Sequence, residues 1–309
     1  MVLRMTLRRS PERSPTIHHD LLWSPVATIA VLSAGASPFL SNILASVTAI
    51  ARSHDVVRLI WSGRALPPCW IPNTVDVVVI PPPSFDHGGT RQLALELCHT
   101  EFLVLLSDDA EPANAGWLAA LLDPFKDQQL AAVYGRQTAR ATAPIAEVVF
   151  RQARYPEESR RLEPSMPWSM VSFPTSNANA GYRAAALRAV GGFPSRCPFG
   201  EDRIVLERLL KNGWRALYSA EAVVWHSHDI TWRDTFRRAL QTGALSKQIA
   251  GASTRASRGG GALLWTMLRL AWRDHGLGGC VAVTWTSVAR VLGFLAGRLL
   301  SRQGSPQAA

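Results

Sequence analysis

The chain is poor in the residues that stabilise secreted proteins and zinc-binding modules. Among its 309 residues there are only four cysteines, Cys69, Cys98, Cys197 and Cys280, and no two of them form a CxxC pair. This spacing predicts neither a zinc site nor a disulfide framework. The N-terminus also lacks an apolar signal-peptide core, and residues 1–24 are predicted to form a basic flexible tail. Both absences favour the cytoplasm as the compartment.

Acidic residues are scarce in the last quarter of the chain. Between Trp232 and Ala309 there are eleven basic residues but only two acidic ones, Asp234 and Asp274. Most of the formal net charge of +10 therefore lies in this quarter. A local basic surface indicates an anionic partner, which could be phospholipid, nucleic acid or a substrate that carries a pyrophosphate.

The same region, residues 246–309, is predicted to be a basic linker followed by amphipathic helices. Residues 252–261 are rich in Gly, Ser and Arg, and apolar residues then recur at helical spacing from Leu263 to Ala271 and from Val281 to Leu299. We favour a helix pair lying on a membrane over a membrane span, because Arg290 inside a bilayer would cost about 2.5–3.5 kcal/mol. Ordinary packing of both helices on the core is the remaining alternative.

In residues 25–245, predicted strands and helices alternate. This alternation predicts an α/β fold with a mostly parallel, Rossmann-like central sheet and flanking helices. Residues 140–173 show no clear period, and we expect a long loop that contains a helix. Strands are predicted at 26–32, 56–61, 75–80, 103–106, 131–134 and 217–225. Helices are predicted at 39–51, 90–98, 117–125, 184–190 and 204–212.

Two adjacent acids, Asp108 and Asp109, follow the uncharged run from Leu103 to Leu106. The run shows no polar alternation, so we expect a strand covered on both faces, with the acids at its carboxyl end. Ligands bind at this end of open α/β sheets. A divalent cation such as Mg²⁺ or Mn²⁺ would balance the two charges. A solvated acidic turn before Pro112 is the alternative.

Several short motifs follow one another along the chain. Besides the acidic turn, the chain has a Gly-Gly-Phe-Pro turn at residues 191–194. Five further stretches belong to the same series: Phe85–Arg91, Ala132–Gln137, Tyr155–Ser159, Phe199–Asp202 and Trp225–His228. In this order the motifs resemble family 2 glycosyltransferases of the GT-A fold, and bacterial rhamnosyltransferases in particular, and the resemblance covers about Val26 to Gly243.

The resemblance implies a role for individual residues. Asp109 matches the acid that binds the metal, Mn²⁺ or Mg²⁺, on the donor diphosphate, and His226 matches a late metal-binding histidine. Asp202 matches the catalytic base. The segment that includes His87 and Arg91 lies where the nucleotide and pyrophosphate of the donor are expected. Asp108 also falls in the donor site, although the family often has a neutral polar residue there.

Each of these roles has a structural alternative. Asp202 could be an N-cap or first-turn helix acid favoured by the helix dipole, and Glu201 is expected to orient or cap. His226 and His228 would face opposite ways on a continuing strand, so we expect only one of them to enter the site. Arg91 could be a solvated helix residue. Asn177 and Asn179 could contact a sugar or serve as turn residues.

Three departures from the family pattern affect donor recognition. Leu32–Gly35 replaces a Pro-Thr-Tyr-Asn-like element, Trp61 stands at the end of a strand that usually ends in an acid, and Asp86 replaces an asparagine. A scaffold that has lost donor binding is therefore a rival hypothesis. A nucleotidyltransferase is disfavoured because Ser33–Ser37 lacks an arginine. Nucleic acid is not expected as a partner, because Arg alternating with Trp and Leu at helical spacing fits a membrane better.

The resemblance therefore implies an inverting, metal-dependent transfer of a sugar, L-rhamnose or a similar one. The donor would be dTDP-L-rhamnose or another nucleoside diphosphate sugar. The acceptor would be a glycan or a polyprenyl-linked intermediate of cell-surface polysaccharide synthesis. The enzyme would lie in the cytoplasm, peripheral on the inner face of the cell membrane.

Overall fold

A computed structural model describes most of the chain. It covers residues 26–35, 37–81, 86–168, 172–195, 197, 200–228, 231–249 and 260–300. The predicted N-terminal tail, residues 1–24, and nearly all of the predicted linker at 252–261 lie outside the described residues.

One sheet of nine strands forms the centre of the described fold. The strand order is β3-β2-β1-β4-β8-β6-β9-β5, and β7 pairs with β9. The strands are β1 (Ala27–Ser33), β2 (Val56–Trp61), β3 (Asp76–Val79), β4 (Phe102–Ser107), β5 (Glu111–Pro112), β6 (Leu130–Thr138), β7 (Arg160–Leu162), β8 (Asn179–Arg183) and β9 (Arg215–Trp225).

Helices follow or separate most of these strands. They are α1 (Leu40–Ile50), α2 (His87–Glu96), α3 (Trp117–Leu122) with a 3₁₀ turn at Asp123–Lys126, α4 (Ile145–Arg154), α5 (Ala184–Ala189), α6 (Glu201–Lys211), α7 (Trp232–Ile249) and α8 (Gly260–Leu300). Gly213, with φ +82°, follows α6 in the left-handed conformation typical of a helix C-terminus.

The sheet confirms the predicted α/β class. Strands β3, β2, β1 and β4 run parallel, and β6 and β9 form a second parallel pair. Strand β8 lies antiparallel between β4 and β6, and the sequence reading did not assign it as a strand. Its sequence, Asn-Ala-Gly-Tyr-Arg, has weak strand propensity, so the two neighbouring strands rather than local preference hold it extended.

Apolar side chains fill both faces of the sheet. Strand β4 is buried from Phe102 to Leu106, as its uncharged sequence predicts. One core lies against α1 and α3, and the other lies against α2, α5 and α6. Helix α2 begins at His87, three residues before the predicted start, because the Asp86 carboxylate accepts a hydrogen bond from the Gly89 amide (2.7 Å).

Helices α7 and α8 form a separate helical layer. Helix α8 breaks at Gly276 (φ 60°, ψ −149°), and its two halves fold back so that Cys280 Sγ contacts the Leu268 carbonyl (3.7 Å). The first half packs on α4 through Met267 and Ala271. The second half packs on α7, and a Cβ atom at Gly293 or Gly297 would overlap the α7 backbone. The boundaries that the sequence suggests between these regions stay a prediction.

Candidate active site

The acidic pair lies at the carboxyl end of β4, next to the end of β1. The Asp108 amide donates to the Leu32 carbonyl (3.2 Å), and Ser33 Oγ donates to Asp108 Oδ2 (2.6 Å). Arg140 Nη2 donates to the Asp109 carbonyl (2.9 Å), and the Arg140 guanidinium lies 3.6 Å from the centre of the Phe39 ring. Both aspartates are therefore held by the backbone and by neighbouring side chains, unlike acids in a solvated turn.

Two histidines complete a group around the Asp109 carboxylate. His226 Nε2 lies 3.3 Å from Oδ1, and His228 Nδ1 lies 3.5 Å from Oδ2. Both rings lie beside Asp109, just after strand β9 ends at Trp225. The expectation that only one histidine enters the site is therefore wrong.

A buried side-chain pair orients the His226 ring. Arg151 donates to Gln137 Oε1, and since Arg151 can only donate, this contact fixes which end of the Gln137 amide faces the ring. Gln137 Oε1 in turn lies 2.9 Å from His226 Nδ1 and can accept the proton of that nitrogen, which Arg151 Nη1 also approaches to 3.4 Å. In the tautomer protonated at Nδ1, the Nε2 lone pair faces the Asp109 carboxylate, an arrangement that suits a metal ion between them.

The protonation states suit a metal site. Burial lowers the pKa of His226, and burial lowers the pKa of His228 to about 3, so both rings are neutral at physiological pH. Burial alone would raise the pKa of Asp109, but in the tautomer in which His226 donates to it, His226 together with His228 brings that pKa below its usual range. Burial raises the pKa of Asp108 to about 6.

These three residues fit a divalent transition-metal ion. The ligand atoms of Asp109, His226 and His228 all lie within 4.8 Å of one another. A carboxylate with two neutral imidazoles suits Mn²⁺ better than Mg²⁺, which prefers oxygen ligands and keeps several waters. His228 thus joins the two predicted ligands.

A cleft of about 680 Å³ opens above this group. Asp108, Asp109, Ser227 and His228 line its floor, and Ser37–Phe39, which follow β1, line one wall. The opposite wall is the face of α7 that carries Asp234, Arg237, Arg238 and Gln241. The cleft is large enough for a small-molecule ligand.

The predicted donor residues of α2 divide into two environments. His87 is exposed at the start of α2, with its Nδ1 3.2 Å from Arg91 Nη1, and it is not one of the residues that line the cleft. Arg91 is buried instead, with Nε 3.1 Å from Glu201 Oε1 and Nη1 donating to the His87 carbonyl (2.9 Å). Arg91 is therefore not a solvated helix residue.

The predicted base, Asp202, lies in the first turn of α6. Gly200, with φ +84°, is the N-cap, so Asp202 is not the capping residue. Its carboxylate accepts a hydrogen bond from the Arg203 amide (2.8 Å). Burial raises the pKa of Asp202, the neighbouring Glu201 raises it further, and Arg203 opposes the shift. A carboxylate with a raised pKa is a better proton acceptor than an ordinary aspartate.

Other predicted contacts are structural. Asn179 is fully buried and bonds to the Trp117 indole (2.9 Å) and the Ala222 carbonyl (2.8 Å). Asn177 donates to Glu201 Oε1 (3.0 Å) and so holds the Arg91 partner in place. Trp61 packs in the core, with its indole bonded to the Ala65 carbonyl (2.8 Å), and does not line the cleft.

Comparison with known proteins agrees with this geometry. The profile of the family described as "Glycosyltransferase like family 2" matches residues 25–242. The chain belongs to glycosyltransferase family 2. The family assignment confirms the resemblance and the predicted enzyme class, and the matched residues include Asp109, Asp202 and His226.

Two similar curated proteins are O-antigen chain rhamnosyltransferases. WbaN of Salmonella anatum is 35% identical over 173 residues, which is 55% of each chain. RfbN of Salmonella typhimurium strain LT2 is 32% identical over 163 residues, which is 52% of each chain. The chain thus spans about half the length of these relatives. It is a family 2 glycosyltransferase similar to rhamnosyltransferases.

Among solved structures, the mannosyltransferase PcManGT from Pyrobaculum calidifontis, in complex with GDP-Man and Mn²⁺, has the same fold. The TM-score is 0.60 at 15% identity, with 91% of this chain and 89% of that chain covered. Together with the sheet described above, this similarity confirms the GT-A fold.

Sequence reasoning missed several residues of this glycosyltransferase site. Gln137 lay within a recognised stretch but had no assigned role, and Ser33 was noted only as a departure from the family. The face of α7 was counted only as part of the basic excess. The spacing of Asp234, Arg237, Arg238 and Gln241, which places them on one helical face, was the available clue.

Proposed function

We propose that this protein is an inverting, metal-dependent glycosyltransferase that moves a sugar from a nucleoside diphosphate donor to a glycan or lipid-linked acceptor. The observation that carries the proposal is the group of Asp109, His226 and His228, of which Asp109 and His228 line the cleft. Asp202 in α6, which is not one of the cleft-lining residues, supplies a carboxylate with a raised pKa. A cation position and a general base are the two elements that the transfer requires.

In the proposed reaction, Asp202 removes the proton of an acceptor hydroxyl as its oxygen attacks the anomeric carbon of the donor sugar. The bond from that carbon to the diphosphate oxygen breaks, and the nucleoside diphosphate leaves. Asp109, His226 and His228 would hold Mn²⁺ or Mg²⁺. When bound, the ion supplies Lewis-acid neutralisation of the leaving diphosphate. Glu201, fixed by Arg91 and Asn177, positions the first turn of α6 that carries Asp202.

The donor sugar is proposed to be L-rhamnose or a similar hexose. The support is the similarity to the two Salmonella proteins named O-antigen chain rhamnosyltransferases. That similarity also favours an acceptor in cell-surface polysaccharide synthesis. Burial of Trp61 in the core removes one reason for the rival scaffold hypothesis, because its ring does not occupy the described cleft.

A membrane-facing helix supports a lipid-linked acceptor and a place on the inner face of the cell membrane. By length and composition alone, α8 is apolar enough to cross a bilayer. Its second half exposes one apolar stripe at helical spacing. The members of the stripe are Leu277, Val281, Trp285, Val288, Leu292, Leu295 and Leu299. The Arg290 side chain points away from this stripe, with its guanidinium 4.1 Å from the centre of the Phe150 ring of α4.

The first half of α8 adds the side chains expected at a lipid headgroup. Trp265 and Trp272 are exposed, and Arg269 lies between them on the same helical face. Tryptophan and arginine favour the interface of an anionic membrane, where the ring and the charge are both accommodated. We therefore propose that α8 lies on the membrane rather than crossing it.

The proposed activity is tested by measuring nucleoside diphosphate release by the full chain. The assay uses Mn²⁺ or Mg²⁺ and a panel of nucleotide sugars that includes dTDP-L-rhamnose. We expect metal-dependent release from one donor and loss of release in Asp109→Ala by at least about 1,000-fold, because the substitution removes the carboxylate that would hold the ion. Asp123→Ala, which removes an exposed acid outside the cleft, is the matched control.

The outcomes separate the proposal from its rival. Release that persists in Asp109→Ala or with EDTA would refute metal dependence. If no donor gives release, two further experiments follow. The release assay is repeated with a polyprenyl-linked acceptor, and binding of the same donors is measured directly. Absence of donor binding in that assay would favour the scaffold hypothesis.

A further inference from the structure

The α7 wall of the cleft presents two positive charges to the metal position. Residues Asp234, Arg237, Arg238 and Gln241 fall at positions i, i+3, i+4 and i+7 of one helix and line the cleft together. We propose that Arg237 and Arg238 bind the diphosphate of the donor nucleotide. The inference rests on the proposed glycosyl transfer and assigns to α7 the role that the sequence suggested for Arg91.

The first step of the argument is that Arg91 is already neutralised. It is 7% exposed, and its guanidinium lies 3.1 Å from the Glu201 carboxylate, which is itself buried. A second contact, to the His87 carbonyl, fixes the end of the side chain. Breaking this pair to bind a phosphate would leave the Glu201 charge buried and unpaired, which is costly.

Arg237 and Arg238 are in the opposite situation. Both are exposed in the cleft, and within the described ranges neither lies within 4.0 Å of a carboxylate oxygen. The acid on the same face, Asp234, accepts a 2.6 Å hydrogen bond from Thr231 Oγ1 at the start of the helix. Two guanidinium groups are thus available for an anion that enters the cleft.

The second step concerns position. Arg237 and Arg238 line the same cleft as Asp109 and His228, two members of the cation group. A diphosphate in that cleft would meet both the cation position and the guanidinium groups.

The third step is the charge of the cleft. Its lining includes three carboxylates, Asp108, Asp109 and Asp234. A divalent ion alone would not offset them, and the cleft would repel a nucleoside diphosphate. The two arginines make the metal-loaded cleft positive. Guanidinium groups also bind phosphate oxygens in a bidentate manner, which fixes orientation as well as charge.

The fourth step is that α7, which carries the two arginines, packs closely against α8. The helix crosses α8 at close range, where a Cβ at Gly293 would overlap the carbonyl oxygen of Phe236, the residue before Arg237. A Cβ at Gly243 of α7 would likewise overlap the Phe294 carbonyl oxygen of α8. The arginines therefore extend from a packed helix rather than from a loose surface segment.

The test is calorimetric binding of dTDP, UDP and GDP to the full chain in the presence of Mn²⁺. The variants are Arg237→Gln, Arg238→Gln and the double substitution. We expect each single variant to bind the preferred diphosphate about 10- to 100-fold more weakly, since a hydrogen-bonded charge is lost. The matching nucleoside should bind equally to all variants. Arg233→Gln, an exposed arginine of α7 outside the cleft, is the matched control.

Each outcome has a distinct meaning. If the unaltered chain binds none of the three diphosphates, the proposed function fails and this inference fails with it. If it binds one of them and the double variant binds it within twofold, the inference alone is overturned. Should the double variant unfold, Arg237→Lys and Arg238→Lys decide the matter. They keep the charge but lose the bidentate fork, so affinity equal to the unaltered chain in both would also overturn the inference.

Discussion

The sheet and α8 bury their apolar side chains in opposite ways. In the sheet and the helices against it, large residues such as Phe102 and Trp117 are fully buried. In α8 the buried positions are mostly small, among them Ala271, Gly293 and Gly297. Many of the large residues of α8 point outward, with Trp265 at 66% exposure and Leu299 at 82%.

This difference indicates what covers the large apolar side chains of each region. A water-soluble helix buries its large apolar residues and exposes its polar ones. Close packing through glycine and alanine, with large apolar residues outside, is typical of helices in contact with lipid. The sheet region thus covers its own large apolar side chains, whereas the exposed apolar face of α8 is the surface that we propose to contact a membrane. Substitutions should therefore separate catalysis from membrane binding, except where α7 joins the two.

The substitution expected to separate catalysis from membrane binding most strongly is Asp202→Asn. The amide cannot accept the acceptor proton, so sugar transfer should fall by about 100- to 10,000-fold. Donor binding and vesicle binding should both stay unchanged, because Asp202 belongs to neither the cation group nor α8. Steady-state rates measure sugar transfer, and calorimetry measures donor binding. Glu158→Gln, which changes an exposed acid, is the control. Full activity in Asp202→Asn would exclude this residue as the base.

A smaller effect within the sheet region is expected for Gln137→Leu. The substitution removes the partner of His226 Nδ1, so the ring loses its fixed tautomer and orientation. Outer-shell partners of this kind typically contribute about 10- to 100-fold to metal affinity. Mn²⁺ titration monitored by electron paramagnetic resonance measures the loss. Gln129→Leu, an exposed glutamine, should leave Mn²⁺ affinity unchanged, and equal affinities in both variants would contradict the tautomer argument.

The contact between the two regions can be broken at Gly297. A valine there would overlap the Leu240 carbonyl oxygen of α7, and overpacking of this kind costs about 1–3 kcal/mol. We expect a lower melting temperature together with weaker diphosphate binding, because α7 carries the cleft arginines. Gly278→Val is the matched control, since a Cβ at Gly278 meets nothing within 4 Å. Similar melting curves for the two variants would argue against the close helix crossing.

The elements of the sheet region could be predicted where local pattern and tertiary structure agree. Strand β2 was predicted with its observed ends, and β4 was identified by its unbroken apolar run. Strand β8 could not be predicted, because Asn179 and Gly181 favour a strand only when β4 and β6 pair with them. The start of α2 was missed because the capping role of Asp86 depends on one hydrogen bond.

The site was predictable one residue at a time but not as a set. Asp109 and His226 were predicted as metal ligands through the family resemblance. In the structure, His226 Nε2 lies 3.3 Å from Asp109 Oδ1. His228 was set aside because alternation was assumed to continue past Trp225. The burial of Arg91 against Glu201 depends on two helices far apart in sequence. A pattern within one segment cannot reveal such a contact.

The smallest expected effect tests the outward face of α8 directly. Replacing both Trp265 and Trp272 with glutamine keeps helix propensity but removes two exposed rings. Binding to vesicles that contain phosphatidylglycerol should weaken by about tenfold, because each ring would otherwise leave water. Release of nucleoside diphosphate with a water-soluble acceptor should be unchanged. Trp70→Gln, an exposed tryptophan of the sheet region, should bind vesicles normally. If the double variant keeps its vesicle affinity, the exposed face of the first half of α8 contacts something other than lipid, and the comparison between the two regions would have to be explained by a protein partner.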